Sequence, residues 1–256
     1  MLEVENDVVV PVPEDDQVLV RVVYAGVNPV ETYIREGQYA KLPDLPYTPG
    51  TDAAGDVERV GKNVTTVKVL VSRGVLRLSI DILQEGDRVF VVGSNNSNNS
   101  GSYAQFVVTD STYVFPLHPR LSYAQGASLG VPFFTAYKAL VLRAQTKPGE
   151  TVLVHGASGA VGTAAVQIAR AMGAMVVGTA GTKEGMDVVS QCGAHHVFNH
   201  NHKNYDKKMV EHLGTGFDVI IEHLANINLG HDIQMINQNA RVMIVGCRGS
   251  VNINPR

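Results

Sequence analysis

Cysteine, net charge and long apolar runs are all scarce in this chain. Its only cysteines are Cys192 and Cys247, too few for a disulfide framework, and they fit a reducing, cytoplasmic compartment. Basic residues number 21 and acidic residues 24, so the formal net charge is −3 and no strong electrostatic footprint for nucleic acid or an anionic membrane is expected. No apolar run reaches the ~18 residues of a membrane span. The opening MLEVENDVVV lacks the basic n-region and long apolar core of a secretory signal, so the sequons at Asn63, Asn95 and Asn98 carry little weight. At 256 residues the chain is long enough for one large or two ordinary domains.

The character of the sequence changes near Leu121. Before it, short apolar runs such as QVLVRVVYAGVNP, DAAGDVERVG and DRVFVVG are punctuated by Pro and Gly, which predicts a β-rich, barrel-like domain over 1–120. After it, strand-like segments alternate with stretches long enough for crossover helices. The strand candidates are Thr151–His155, Met175–Ala180, His196–Asn199, Phe217–Glu222 and Arg241–Gly246. That rhythm predicts an α/β, doubly wound parallel sheet over 121–256. The Asn/Ser-rich tract Ser94–Ser102 is polar and of low complexity, and no chemistry is assigned to it.

Within the second half, VLVHGASGAVGTAAVQIARAMG places an apolar strand, a glycine-rich turn and an alanine-rich amphipathic run in immediate succession. A helix that starts at such a turn offers unpaired N–H groups and a positive dipole end to an anion, most often a dinucleotide pyrophosphate. The spacing is Ala157-x-Gly159-x-x-Gly162 with Gly156 just before, so the first glycine of the dinucleotide fingerprint is shifted or replaced. Ser158, Gly159, Ala160, Val161 and Gly162 are the candidate contacts there. The competing reading is a tight strand-to-helix turn without a ligand. His195, His196, His200 and His202 form a dense histidine cluster, but they straddle a strand and its following loop without the rest of a metal cage, and no metal is expected.

The segments GVNPVETYIREGQY, LPYTPGTDAAG, EGDRVF, GASLGVPFFTAYKAL, VLVHGASGAVG, GTAGTKEG, VFNH, LANIN and VGCRG follow one another in an order that resembles the zeta-crystallin-like quinone oxidoreductases, a zinc-free branch of the medium-chain dehydrogenase/reductase superfamily. The resemblance covers nearly the whole chain apart from one internal segment. It implies a GroES-like catalytic domain followed by a Rossmann domain, NADPH as cofactor, and a quinone or other activated carbonyl substrate held between the two. It also implies that zinc is absent, because Asn28 stands where zinc-dependent relatives carry a catalytic cysteine and Gly50-Thr51-Asp52 where they carry Gly-His-Glu. Without a metal, the carbonyl must be polarised by hydrogen bonds, for which Tyr33 and Asn28 are the candidates, Tyr33 also matching a cofactor position. Asn28 can alternatively shape a turn before Pro29, and Tyr33 can simply bury its ring. Thr135 matches a position near the nicotinamide, although a threonine opening a helix can serve only as its cap.

A carboxylate at the end of the second strand would select NAD, but here that point reads Ala180, Gly181, Thr182, Lys183. Small residues leave room for a 2′-phosphate, Gly181 N–H and Thr182 can donate to it, and Lys183 supplies a charge. His200 matches an adenosine-side contact, and Asn228 and Val245, Gly246, Cys247 and Arg248 match positions that line the cofactor from later strand ends. Glu222 and His223 lie at a strand's C-terminal edge without a specific role. The family resemblance further implies homo-oligomers and, as alternatives to quinone reduction, a non-catalytic NADPH-binding or AU-rich RNA-binding role, or the reduction of enoyl thioesters.

Against this family pattern the chain lacks most of an N-terminal hairpin and the polypeptide that follows INPR, and on that expectation it would bind nucleotide weakly and turn over slowly. It also reads VKVLVSRGVLRLSIDILQEGDRVF where the family has a short link. The extra residues run from about Val69 to Gln84. A valine codon begins with GT and a glutamine codon can end in AG, so the segment is expected to be a retained intron or a mis-called exon boundary. The alternative is a genuine surface loop in which Leu76, Leu78, Ile80 and Ile82 form an extra edge strand.

Overall fold

The computed structural model describes residues 2–64, 66–72, 75–81, 83–93 and 100–253, with backbone alone over 66–72 and 75–81. The chain divides into two compact units, Met1–Val131 and Pro132–Arg256.

The first unit is built on β1 (Gln17–Ala25), α1 (Pro29–Arg35), β2 (Ala53–Val60), a hairpin of β3 (Thr66–Ser72) and β4 (Val75–Asp81), β5 (Arg88–Val91), β6 (Phe106–Asp110), β7 (Val114–Pro116) and α2 (Tyr123–Ala127). Five of these strands form one antiparallel sheet in the order β6-β1-β2-β5-β7. Two bulge-like register shifts between β1 and β2, at Leu19/Val20 and Val22/Tyr24, bend the sheet as a barrel-like unit requires. Its core is valine-rich: Val18, Val20, Val57, Val64, Leu83, Val89, Val91, Val107 and Val114 are buried together. The unit boundary falls at Val131 rather than Leu121 because Ala127 of α2 packs with Ala54 of β2 and Leu117 in a cluster of its own, so α2 belongs to the β-rich side.

The β3–β4 hairpin corrects two expectations. Residues 75–81 pair with 66–72 in a separate two-stranded sheet, with Thr66 opposite Asp81 and Ser72 opposite Val75, and not with the edge of the five-stranded sheet. Ile82 and the side chains of Leu76, Leu78 and Ile80 lie outside the described residues, as do Asn95, Asn98 and most of the Ser94–Ser102 tract. Leu83, which the family pattern puts in the extra segment, is only 1% exposed and sits in the same core as Val64. The hairpin strands 66–72 and 75–81 are therefore flanked in sequence by two core residues, Val64 and Leu83.

The second unit begins within α3 (Gly130–Tyr137) and continues as a one-turn π-helix over Lys138–Arg143, then β8 (Thr151–Val154), α4 (Ala160–Ala171), β9 (Met175–Ala180), α5 (Lys183–Gln191), β10 (His196–Asn199), α6 (Tyr205–Leu213), β11 (Phe217–Glu222), α7 (Ala225–Met235) and β12 (Ile236–Ile244). The strands are parallel in the order β10-β9-β8-β11-β12. The chain winds outward from β8 to β10, then returns to place β11 on the other side of β8. The switch point of this doubly wound sheet thus lies between the C-terminal ends of β8 and β11, the place where such sheets bind ligands.

Both faces of the sheet are covered, so its strands are apolar at nearly every position. Val152, Val154, Val176, Val219 and Ile221 face one core with Ala165 and Val166 of α4 and Val189 of α5. Leu153, Val177, Phe217 and Ile220 face another with Met209 of α6 and Met235 of α7. Neighbouring residues of one strand enter opposite cores, as the twofold repeat of a strand demands.

β12 begins five residues before the Arg241 start expected from sequence and ends at Ile244, two short of Gly246. Its early half pairs Ile236 with Phe217, and a register shift follows before Arg241 meets Val219. Arg241 is the anchor. Its guanidinium reaches both Glu150 oxygens at 2.9 and 2.7 Å and the Ala144 carbonyl at 3.0 Å, tying β12 to the turn before β8. The paired guanidinium holds the Glu150 carboxyl below its ordinary range. Among the described residues no helix is long and apolar enough to cross a membrane.

Leu83→Ala should lower stability by about 2–5 kcal/mol. Replacing 67–80 with a short glycine turn should cost less, since among the described residues the hairpin's backbone pairs only within itself. Urea melts compare the two, and a larger loss on hairpin removal would mean that the excursion supports the core.

Candidate functional site

The turn between β8 and α4 is held by a close approach that only glycine permits. A Cβ on Gly162 would stand 2.5 Å from the Gly156 carbonyl oxygen and 2.6 Å from the Ala157 Cα. Ala157 is itself buried, its N–H donating to the Thr179 carbonyl at 2.7 Å. The buried face of α4 continues as Ala165, Val166 and Ala169, residues small enough to keep the helix against the sheet. Gly159 is the N-cap, and the Thr163 N–H closes onto its carbonyl at 2.8 Å. The amides of Ala160, Val161 and Gly162 precede the first intrahelical bond and face the switch point, while Ser158 and Gly159 are exposed at the turn. The sequence-predicted contacts over 158–162 therefore lie together at the turn and the first turn of α4.

At the end of β9, the Thr182 hydroxyl oxygen caps α5 by accepting the Gly185 N–H at 3.0 Å, and its own hydrogen stays available to donate. Lys183 is the first helical residue and is exposed. His200 follows β10, and its Nε2 lies 2.8 Å from where a Gly181 Cβ would be. The space a side chain at that glycine would need is thus taken by the imidazole, which joins His200 to the Gly181–Lys183 corner. Burial, then the nearby His155, lowers the His200 imidazole from its ordinary value.

The later strand ends converge on the same edge. Val245 N–H donates to the Glu222 carbonyl at 2.8 Å, the Ala225 N–H to the Gly246 carbonyl at 3.0 Å, and the Arg248 N–H to Asn226 Oδ1 at 2.9 Å. Cys247 is exposed, and its thiol donates to the Gly249 carbonyl at 3.1 Å. The Asn228 amide donates to Glu222 Oε1 at 3.2 Å. Thr135 is half-buried and lies well inside α3, which removes the reading of it as an N-cap.

The histidine cluster does not converge. His195 Nδ1 accepts the Val176 N–H at 2.9 Å and its other nitrogen meets Arg170, while His196 faces His212 at 3.1 Å and His200 lies over Gly181. What does converge has no signature in the sequence. His155, directly after β8, Glu222, the last residue of β11, and Asp232, inside α7, meet as a buried trio at the switch point, with His155 Nε2 2.8 Å from Asp232 Oδ1 and 3.6 Å from Glu222 Oε2. The signal available is two polar residues directly at strand ends. Asp232 carries none, since a lone carboxylate in an amphipathic stretch reads as a solvated face.

In the first unit, Asn28 and Asp52 are buried in one network. Asn28 Nδ2 donates to Asp52 Oδ2 at 2.8 Å and to Thr51 Oγ1 at 3.4 Å. The Asp52 oxygens also accept the N–H groups of Val131 at 2.7 Å and Gly93 at 3.3 Å, and a Cβ on Gly130 would collide with the Asp52 carboxyl. Glu31 accepts from the Asn28 N–H at 2.7 Å, the Thr51 N–H at 3.1 Å, the Thr51 hydroxyl at 2.9 Å and the Tyr103 hydroxyl at 2.5 Å. Burial pushes the Asp52 carboxyl up against the lowering effect of these bonds, and burial beside Glu31 pushes the Tyr103 phenol far up. Tyr33, on α1 beside this network, is half-buried.

The two halves match known families separately. Residues 14–119 match the family described as alcohol dehydrogenase GroES-like domain, and residues 160–256 the family described as zinc-binding dehydrogenase. Human quinone oxidoreductase is 48% identical over 257 residues, covering 100% of this chain and 72% of the relative. The solved Escherichia coli quinone oxidoreductase complexed with NADPH has a TM-score of 0.78 at 26% identity, over 96% of this chain and 71% of that one. The Thermus thermophilus quinone oxidoreductase, solved also in complex with NADPH, has a TM-score of 0.74 at 28% identity, over 93% and 68%. The architecture is that of the medium-chain dehydrogenases and reductases. Within them, the chain belongs to the zeta-crystallin-like quinone oxidoreductase family.

The zinc-binding description attaches to residues 160–256, whereas Asn28 and Asp52 lie in the other matched half, and the residues at that site do not suit zinc. At Asn28 and Asp52 the donor set is an amide N–H pair already directed at oxygen acceptors and a carboxylate whose two oxygens accept three hydrogen bonds, with neither a thiolate nor an imidazole among them.

Gly162→Ala should destabilise the protein by about 1–3 kcal/mol, because the added methyl meets backbone atoms and overrides the usual gain of alanine in a helix. Thermal melts check the sign. A raised melting temperature would mean that α4 is not held by this contact.

Proposed function

We propose that this chain reduces quinones with NADPH and without zinc. The observation that carries the reading is the glycine-held turn at the sheet's switch point, followed one strand later by Thr182 and Lys183 where a carboxylate would select NAD. When bound, NADPH supplies the hydride. The amides of Ala160, Val161 and Gly162, with Ser158 and Gly159, take the pyrophosphate. The Gly181 N–H, the Thr182 hydroxyl and the Lys183 ammonium take the 2′-phosphate, with His200 beside them. Thr135, Asn228 and Val245–Arg248 line the remainder.

In the first unit, Tyr33 is the group assigned to hydrogen-bond the quinone oxygen. Both amide hydrogens of Asn28 are directed at Asp52 and Thr51, so Asn28 serves the reaction by fixing the loop that leads into α1 and Tyr33. A quinone is already a strong electrophile, so hydrogen bonding suffices where an alcohol or aldehyde would call for a Lewis acid. The reducing cytoplasm suits the free thiols of Cys192 and Cys247.

The test is oxidation of NADPH and NADH with a simple benzoquinone, with an enoyl thioester as the competing acceptor. Lys183→Ala should weaken NADPH about tenfold, the equivalent of about 1.4 kcal/mol, and NADH by much less, since only NADPH carries the phosphate it meets. Equal weakening of both cofactors removes the role of Lys183. Preference for the thioester removes the quinone, and stoichiometric zinc by elemental analysis overturns the metal-free reading.

A further inference from the structure

The trio at the switch point poses an electrostatic problem. Glu222 and Asp232 are 0% exposed and His155 is 3% exposed, and their facing atoms all lie within 4.8 Å of one another. Two ionised carboxylates this close in a buried site repel each other and lack the solvent that would screen them. The unmet hydrogen bonds point the same way: Glu222 Oε2 and Asp232 Oδ2 are both buried without a partner. The other oxygens are used. Asp232 Oδ1 accepts from His155 Nε2, and Glu222 Oε1 accepts from the Leu224 N–H and the Asn228 amide.

We propose that one proton, carried on Glu222 Oε2 and donated to Asp232, completes both orphan oxygens, and that the clamp so closed makes Glu222 and Asp232 positioning residues for the cofactor turn. The clamp joins three pieces of chain. His155 lies directly before Gly156, its N–H donates to the Ile221 carbonyl at 3.1 Å, and its own carbonyl lies 2.7 Å from His223 Nδ1. Glu222 holds the start of α7 through Leu224 and Asn228, and Asp232 closes the contact from within α7. The glycine turn and the start of α7 are thereby fixed relative to each other. This inference rests on the reading of that turn as the NADPH cradle.

The titratable groups around the clamp agree. From the residue after β8 comes His155, from β11 Glu222 and the following His223, from the segment after β10 His200, and from α6 Tyr205 and Asp206. Burial first, then the charge of Asp232, raises the Glu222 carboxyl, with His155 and the Leu224 N–H opposing. Tyr205 is pushed up to about 12 by burial and by Asp232, Asp206 and Glu222. Because the folded state favours protonated Glu222, its contribution is complete below the ordinary carboxyl range and is lost as pH rises through the raised value.

The experiment has two readouts on the full chain. Infrared difference spectra of the ligand-free protein at neutral pH should contain a protonated-carboxyl C=O stretch that is absent from Glu222→Gln. NADPH affinity, read by nucleotide fluorescence, should fall about tenfold in the wild type as pH is raised through the loss of that infrared band, and should stay within about twofold in Glu222→Gln, whose amide donates in place of the acid. Absence of the band in the wild type overturns the proposal whatever happens to NADPH, and so do parallel pH profiles. Tight uptake of one zinc ion, lost in Asp232→Asn, would place a cation where the proton is assigned and also overturn it. A chain that shows the band yet binds NADPH at no pH overturns the cradle reading, and the positioning role with it.

Discussion

The second unit depends on how closely α4 can approach the end of β8. At Gly162 the helix backbone passes so near Gly156 and Ala157 that no side chain fits between them. That contact aims the first amides of α4 at the switch point, and the small residues Ala165 and Ala169 extend it along the helix. Larger side chains along that face would push the helix outward and carry its N-terminal amides away from the strand ends. The direction of the helix N-terminus and the packing of α4 are therefore one constraint, so an anion site proposed at the turn rests on the hydrophobic face beneath it.

A different device organises the first unit. Where zinc-dependent relatives place metal ligands, Asn28, Glu31, Thr51, Asp52 and Tyr103 satisfy one another through side-chain and backbone hydrogen bonds. A metal would pull such a set of ligands inward around a point. Here the carboxylates accept donors from Asn28 just before α1, from the segment before β2, from the residue after Val92 and from the chain entering α3. The network fixes the loop that carries Asn28, with most of the acceptor capacity of Glu31 and Asp52 taken by these donors.

The sequence is most informative where the two-sided burial of a parallel sheet leaves few polar residues to confuse the pattern. Met175–Ala180, His196–Asn199 and Phe217–Glu222 are found at the expected bounds because their ends coincide with glycines or polar turns. β12 starts earlier than its pattern indicates because its first half, Ile236–Ala240, is rich in Asn and Gln and reads as a loop. It is in the sheet because backbone pairing with β11 and the Arg241–Glu150 ion pair outweigh local propensity there. Leu83 falls on the wrong side of the boundary in a motif comparison, which sees an interruption, while only packing reveals where the chain rejoins the core. The glycine turn is legible as a local signature, but the trio beside it joins residues from two strand ends and a helix and so has no spacing to recognise.

The electrostatics of the trio bear on the turn as well as on its own stability. On the proposed reading of the turn, a dinucleotide would bring two negative phosphates to the amides of Ala160–Gly162, and the partial positive charge of a helix end is small. Two buried carboxylates under the same strand ends would set up an opposing field that solvent could not screen. Sharing a proton leaves one negative charge, and that charge faces the His155 ring, which donates to Asp232 through Nε2. The fold thus keeps the hydrogen-bonding capacity of two carboxyl groups at the switch point, enough to hold α7 against the turn, while removing much of the field that would work against the anion.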